Sequence, residues 1–389
     1  MDVKTACAAT IAACAAAYLY HKVSTTTPVT SSPSLTTTEK RNLLANIPRH
    51  VQQQCHTIYH GAIIHSITFD DLQVIENGLL GVDHQGKICL LTDLDQSTSP
   101  TPPQEASTNT TNTTNTTDTT NTTNTTNTTN TTDITDNIHI VSLGSQFICP
   151  GFIDAHAHAP QHAFTGTGMD LPLLEWLQRY TFPHESKFSN LKHARKVYDR
   201  AVSNHLKNGS TTVSYFATIH PKSCMLLVDI VRERGQRALV GKVNMDRNSP
   251  DDYCETTEDS LRDTQIFVDY VLNLKDDTVI PVITPRFVPT CTPTLMKGLG
   301  KIAATHTLPI QSHMGETVEE CGWVRSLHPE STTYSDVYIQ HDLMPLEVSG
   351  AIDWLLFLFL VLVLVLSFFW TCKRLTCYDL LFFLYCCSV

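Results

Sequence analysis

The sequence predicts an α/β protein in which a parallel sheet with helices follows a smaller β-rich segment. Two observations support this prediction. After Gly151, short apolar runs of strand length alternate with longer stretches of helical period, which is typical of a parallel sheet. Before Pro150, apolar and alternating runs lie between glycine turns, as short β-strands do.

The β-rich segment comprises residues 51–96 and 137–150. Three runs in it have the composition of short strands: YHGAIIHSITF, GLLGVDHQGKICLLTDL and IHIVSLGSQFIC. We expect them to form part of a small β-sandwich. A long insertion between the second and third runs is compatible with this fold, because lengthening a surface loop costs little additional entropy.

Residues 97–136 form this insertion and consist mostly of Thr and Asn, largely as repeats of Asn-Thr-Thr. They offer too few apolar side chains to offset the entropy lost on ordering, so we expect a disordered insert. Each Asn-Thr-Thr also matches a glycosylation sequon. Simple triplet repetition explains the same regularity, and the sequons matter only if the segment enters the secretory pathway.

Both ends of the chain carry apolar segments, and each has two interpretations. Within an N-terminal extension of residues 1–50, residues 5–20 fit either a signal peptide or anchor, or a frayed extension. The apolar tail, residues 346–389, contains a candidate membrane span at 354–370. As a helix this span would be ~25 Å long, against a hydrocarbon core of ~30 Å. The alternative is that the tail is translated non-coding sequence.

Composition excludes some functional classes. The formal net charge is -11 and no Lys/Arg cluster exceeds two residues, so we expect no nucleic-acid partner. The 13 cysteines are scattered without a Cys-x-x-Cys pair in the predicted domain. An odd number without a regular spacing argues against a disulfide framework and favours a reducing compartment.

The α/β part spans residues 151–345. The helical spacing of Leu173, Trp176, Leu177 and Tyr180 predicts one helix. A second helix is predicted by a face of Ala194, Val197, Tyr198 and Ala201. After the first strand, further strands are predicted at TTVSYF, ALVGKVNM, TVIPVITPRF and PIQSHM, which makes five βα units.

The first of these strands, in PGFIDAHAH, ends in His156 and His158. Side chains two positions apart in a strand lie on the same face, so both imidazoles project into the same space. Converging nitrogen donors are what a catalytic zinc site requires. The alternative is a pair of partly buried, hydrogen-bonded histidines without a metal.

PGFIDAHAH resembles the first barrel strand of the amidohydrolase superfamily. The blocks APQHAFTGTGMDLPLLEWLQRYTFPHE, TTVSYFATIH, GQRALVGKVNMD, ITPRF and IQSHMGE are similar to the guanine deaminases within it. The resemblance implies a TIM-like (β/α)8 barrel, of which residues 151–345 supply about five of eight units. In such barrels the chemistry lies at the carboxyl ends of the strands.

The resemblance also implies a single zinc ion and its ligands. His156, His158 and His313 match metal ligands, and His313 matches a catalytic residue as well. Glu316 matches the family's proton shuttle, three residues after His313. Without the resemblance, Glu316 would be interpreted as a glutamate at the start of a helix.

Guanine is the substrate that the resemblance implies, converted to xanthine and ammonia. Gln161, Arg286, Phe287 and His313 match substrate contacts. A guanidinium fork, an amide and an aromatic ring suit a flat, hydrogen-bonding purine. An ordinary strand-end salt bridge is the alternative for Arg286. The resemblance further implies a homodimer and a cytoplasmic location.

Two ligands of the family have no match in this sequence: a histidine on the sixth strand and an aspartate on the eighth. We therefore expect an incomplete barrel and no guanine deamination by this chain alone. Two other functions stay open. One is an aminohydrolase of the same superfamily with another substrate, and the other is a non-catalytic, membrane-tethered interaction protein.

Overall fold

A computed structural model describes residues 35–68, 71–96 and 138–344. The predictions for residues 5–20, for the insert at 97–136 and for the apolar tail at 346–389 fall outside these ranges. Within them, no helix is both long enough and apolar enough to cross a membrane. The contacts of the chain divide it into two compact units, with the boundary between Pro150 and Gly151.

The first unit contains a four-stranded sheet with the order β3-β2-β1-β4. Strand β1 pairs antiparallel with β2 and parallel with β4, and β2 pairs antiparallel with β3. The turn between β2 and β3 forms because the Asp83 carboxylate accepts the amides of Gln85 and Lys87, while Gly86 adopts a positive φ of 79°. The strands are β1 (Thr57–Thr68), β2 (Asp71–Val82), β3 (Ile88–Asp93) and β4 (His139–Ile148).

Among the described residues, two helices precede these strands, α1 (Thr37–Ala45) and the short α2 (Arg49–Gln52). A capping box between Thr36 and Glu39 begins α1. Leu44 and Ile47 are buried against apolar residues of the sheet, among them Ile58 and Leu79. The first unit therefore includes residues that the sequence assigned to an N-terminal extension.

The second unit contains a parallel sheet with the order β5-β6-β7-β9. The predicted α/β class with a parallel sheet is confirmed. A two-residue strand β8 pairs with β10, and two isolated bridges, Ile283 to Ile310 and Phe287 to His313, continue the parallel arrangement. The run PIQSHM is thus held by bridges and forms no continuous strand. The strands are β5 (Phe152–His158), β6 (Ser210–Phe216), β7 (Arg237–Gly241), β8 (Val243–Asn244), β9 (Val279–Pro281) and β10 (Thr284–Pro285).

Helices alternate with these strands. The predicted single helix around Leu173 is interrupted, because a π-helical turn at Leu177–Thr181 separates α3 from α4. The predicted face of α5 is confirmed, since its four apolar residues are buried. The helices are α3 (Leu173–Trp176), α4 (Phe182–Glu185), α5 (Leu191–Lys207), α6 (Pro221–Arg234), α7 (Thr257–Asn273), α8 (Pro293–His306), α9 (Val318–Leu327) and α10 (Tyr334–Gln340).

The main core of the second unit lies between the parallel sheet and helices α5 to α7. A second cluster joins α7 and α8 to α9 and α10. These cores fix the sheet, and the carboxyl ends of β5 and β6 then bring His158 and Phe216 together as paired residues. The polar residues at this end of the sheet form the candidate site.

Candidate metal and substrate site

Three histidines converge at the carboxyl end of the parallel sheet. His156 and His158 lie at the end of strand β5. His313 pairs with Phe287 in an isolated parallel bridge. Their ligand nitrogens lie within 4.8 Å of one another, so the cluster could hold a metal ion. The structure brings together the three residues that the resemblance marked as metal ligands.

The tautomer of His313 follows from its hydrogen bond. Its Nδ1 lies 2.8 Å from the carbonyl oxygen of Arg286, which can only accept, so Nδ1 donates. The Nε2 atom of His313 therefore carries a lone pair, and it lies 3.0 Å from Nε2 of His158. A backbone acceptor that fixes the ring in this way is a common support for a metal-binding histidine.

All three imidazoles are neutral near pH 7. Burial lowers the pKa of His156 to about 3 and that of His313 to about 4. Burial lowers the pKa of His158 well below its ordinary value, and the neighbouring His313 and His156 add to the effect. A neutral imidazole offers a nitrogen lone pair, as a metal ligand must.

The donor set fits a zinc ion. The Nε2 atoms of His158 and His313 lie 3.0 Å apart, and the ligand atoms of all three histidines lie within 4.8 Å of one another, a spacing from which they could hold one metal ion. The Nδ1 atom of His156 is buried without a hydrogen-bond partner. Buried polar atoms without partners are rare in native proteins, and a bound ion is one explanation for a buried nitrogen cluster.

Phe216, the last residue of β6, forms an aromatic wall against these rings. Its ring stacks on His158 at 4.6 Å between centroids and meets His156 edge-on at 5.0 Å. The centroid of His313 lies 4.5 Å away. The sequence analysis did not single out Phe216. The signal that could have indicated it is its place at the end of TTVSYF, where a parallel strand ends beside β5.

Glu316 lies three residues beyond His313. Burial raises the pKa of Glu316 to about 7, although the nearby positive charge of Arg286 opposes the shift. Glu320 is fully buried, and its carboxylate accepts the backbone amide of Glu316 at 2.8 Å and the hydroxyl of Tyr334 at 2.6 Å. Glu320 thus holds the segment that carries Glu316, a role that the sequence analysis missed.

Two of the predicted substrate residues, Arg286 and Gln161, meet at a buried carboxylate. Arg286 is only 2% exposed, and its guanidinium forms an ion pair with Glu185 at 2.6 Å. The same carboxylate accepts the side-chain amide of Gln161 at 3.3 Å. Phe287 is buried in an apolar cluster with Phe216. Arg286 therefore does form a salt bridge, and its partner Glu185 also accepts a hydrogen bond from Gln161. Glu185 is the last residue of the block APQHAFTGTGMDLPLLEWLQRYTFPHE, and no spacing in the sequence indicates its role.

A sequence profile described as the amidohydrolase family matches residues 147–353. The match covers more than half of the chain and includes the three histidines, Glu316 and the residues around Arg286. The chain belongs to the amidohydrolase family. The resemblance noted in the sequence is confirmed.

Among curated proteins, this amidohydrolase is 41% identical to the guanine deaminase of Dictyostelium discoideum over 287 residues. That match covers 74% of this chain and 59% of the relative. The human guanine deaminase is 40% identical over 288 residues, which cover 74% of this chain and 57% of the relative. The amidohydrolase chain thus spans less than two thirds of the length of these relatives.

Solved structures give a similar result. The guanine deaminase of C. acetobutylicum with bound guanine is 34% identical, with a TM-score of 0.60. The match covers 77% of this amidohydrolase chain and 64% of that one. The E. coli guanine deaminase is 26% identical, with a TM-score of 0.59, over 78% of this chain and 64% of that one.

Proposed function

We propose that this site is a zinc-dependent guanine deaminase site, which hydrolyses guanine to xanthine and ammonia. One observation carries the proposal. The segment that matches the amidohydrolase family holds the histidine cluster, Glu316 and the Arg286 cluster, in a chain 41% identical to a guanine deaminase.

Guanine would be recognised by Arg286 and Gln161. A guanidinium has donors only, so Arg286 faces an acceptor edge, and O6 with N7 of guanine is the acceptor pair that arginine most often contacts. Gln161 donates its amide N–H to Glu185, which leaves its carbonyl oxygen as an acceptor. That oxygen suits a ring N–H of the purine. The site thus offers both donors and an acceptor to one flat substrate.

His156, His158 and His313 would hold the zinc ion. When bound, zinc supplies a Lewis acid that lowers the pKa of a coordinated water towards ~7. Phe216 covers one side of the three imidazoles, so their orientation is restricted by packing as well as by the hydrogen bond from His313 to Arg286.

Glu316 would carry the protons. The oxygen of water forms a bond to the amine-bearing carbon of guanine, the carbon–nitrogen bond breaks, and the amine leaves as ammonia. Glu316 accepts one proton from the water and passes it to a ring nitrogen. It then accepts the second proton from the newly bound hydroxyl and gives it to the amine, so that the hydroxyl oxygen becomes the carbonyl oxygen of xanthine as ammonia leaves. A carboxyl group with a pKa of about 7 can accept and release protons at neutral pH.

We also propose that the fold is a partial barrel of about five βα units with a partial β-sandwich. We further propose that the protein forms a homodimer and is located in the cytoplasm. The proposed boundaries are 51–96 with 137–150 for the sandwich and 151–345 for the barrel.

The test is a deaminase assay on the purified chain. We expect the chain to bind zinc and guanine, and any conversion of guanine to xanthine to be lost in 1,10-phenanthroline and recovered on addition of zinc. Zinc per chain is measured by mass spectrometry, and 2,6-diaminopurine and melamine serve as competing substrates. Faster turnover of either competitor, or no binding of guanine, would contradict the proposal. Zinc and guanine binding without turnover would support the expectation that this chain alone is inactive.

A further inference from the structure

The carboxylate of Glu185, at the end of α4, accepts hydrogen bonds from two predicted recognition residues, Arg286 and Gln161. We propose that Glu185 is a positioning residue for purine recognition, which orients Arg286 and Gln161 towards the oxygen-bearing edge of the ring. This inference rests on the proposed function and extends it to a residue that touches no substrate itself.

Four hydrogen bonds converge on the Glu185 carboxylate. Nη1 of Arg286 donates to Oε2 at 2.6 Å and Nη2 donates to Oε1 at 3.3 Å. Nε2 of Gln161 donates to Oε1 at 3.3 Å. The hydroxyl of Tyr253 donates to Oε2 at 2.9 Å. Both oxygens are therefore shared, and each has one bond to Arg286 and one to a second partner.

Burial makes this arrangement rigid. Glu185 is 0% exposed and Arg286 is 2% exposed, so neither charge can be stabilised by bulk water. Removing one partner of a buried pair leaves the other charge uncompensated, which is strongly unfavourable. The Phe182 ring also faces the guanidinium, 5.1 Å from its centroid. The pair is therefore held in one orientation.

This orientation decides what the site presents to a ligand. A carboxylate only accepts, so it selects the donor end of the Gln161 amide and turns the carbonyl oxygen away. It also engages both terminal nitrogens of Arg286, so the plane of the guanidinium is fixed. Without Glu185, the side-chain amide of Gln161 could turn so that its oxygen and nitrogen exchange places. The guanidinium of Arg286 could also rotate. The site would then lose its preference for an acceptor at position 6 of the purine.

If the ion pair between Glu185 and Arg286 only stabilised the fold, its loss would not change the preference for guanine over other purines. A second buried ion pair provides a control for the loss of stability alone. Glu255 forms another buried ion pair in the same unit, 2.6 Å from Lys242, with side chains 8% and 0% exposed. Its other hydrogen bonds come from Ser260 and from the amide of Met245. Glu255→Gln therefore tests the loss of a buried pair away from the predicted recognition residues.

The experiment measures equilibrium binding of guanine and of 2-aminopurine, which lacks the oxygen at position 6, to the full chain loaded with zinc. We expect Glu185→Gln to weaken guanine binding at least about tenfold. Binding of 2-aminopurine should change less than about threefold, because it has no oxygen at position 6 for the oriented guanidinium to contact. Glu255→Gln should leave the ratio of the two affinities unchanged, and zinc content should stay the same in both variants.

A milder variant keeps the proposal testable if Glu185→Gln does not fold. Tyr253→Phe removes one hydroxyl donor to Glu185 and retains the ion pair. We expect this variant to lower the preference for guanine over 2-aminopurine by about threefold. An unchanged preference in a folded Glu185→Gln protein, or in Tyr253→Phe, would overturn the role of Glu185. If the unaltered chain binds no guanine, the proposed function fails, and the role of Glu185 fails with it.

Discussion

The Nε2 atoms of His158 and His313 lie 3.0 Å apart, although 155 positions separate the two residues in the chain. A hydrogen bond from Nδ1 of His313 to the Arg286 carbonyl leaves Nε2 free to bind a metal. The carbonyl also accepts the backbone amide of His313 at 3.1 Å. The metal-facing nitrogen and the recognition arginine are therefore linked through one peptide group.

Zinc binding should depend on this contact. We expect His158→Ala to lose most of the bound zinc, because two remaining nitrogens hold the ion weakly. His341→Ala is the control, since Nδ1 of His341 donates to the Val337 carbonyl on α10 at 2.6 Å. Zinc per chain after dialysis, measured by mass spectrometry, gives the comparison. Equal zinc contents in the two variants would contradict the assignment of His158.

Turnover should depend on Glu316. In a chain that deaminates guanine, we expect Glu316→Gln to lower kcat at least ~100-fold, because an amide cannot carry the proton. Zinc should remain bound, since the residue need not be a ligand. Glu319→Gln, on the exposed side of α9, is the matched control. A decrease of less than about tenfold would show that the proton-transfer role belongs elsewhere.

Stability should vary with pH through the same residue. Burial raises the pKa of Glu316 from 4.5 to about 7, so the unfolded chain releases this proton at lower pH than the folded protein. The free energy of unfolding should therefore fall as pH rises from about 4.5 to about 7. In the metal-free protein, Glu316→Gln should remove this decrease and stabilise the fold above pH 7 by at most about 3 kcal/mol.

Urea unfolding of both metal-free proteins at pH 4.5 and pH 8 measures the effect. The side chain keeps partial contact with solvent, so the full value is an upper bound. A difference between the two proteins that is the same at both pH values would contradict the raised pKa.

Guanine recognition should depend on Arg286. We expect Arg286→Ala to raise KM for guanine at least about tenfold and to destabilise the protein, because the buried Glu185 loses its counter-charge. Arg234→Ala removes an ion pair with Asp199 whose side chains are 46% and 37% exposed, and it should change KM little. Steady-state kinetics with guanine distinguish the two. An unchanged KM in Arg286→Ala would point to a different ring as substrate.

Local patterns were sufficient for several features. The two-residue period of PGFIDAHAH predicted that His156 and His158 share a face of one strand, and both lie in β5. Helical spacing predicted the buried face of α5. The predicted helix around Leu173 differs, because the π-helical turn at Leu177–Thr181 follows from packing that the spacing of apolar residues does not encode.

The sequence by itself determined the α/β class, the alternation of strands and helices, and the chemical types available for a metal and for a purine. These depend on periods of two and 3.6 residues and on motifs within one short segment. Only the tertiary structure decided that Glu185 joins Gln161 to Arg286 and that Phe216 covers the three histidines. These contacts join residues far apart in the chain, and their geometry is set by how the sheet and the helices pack. No local period contains that information.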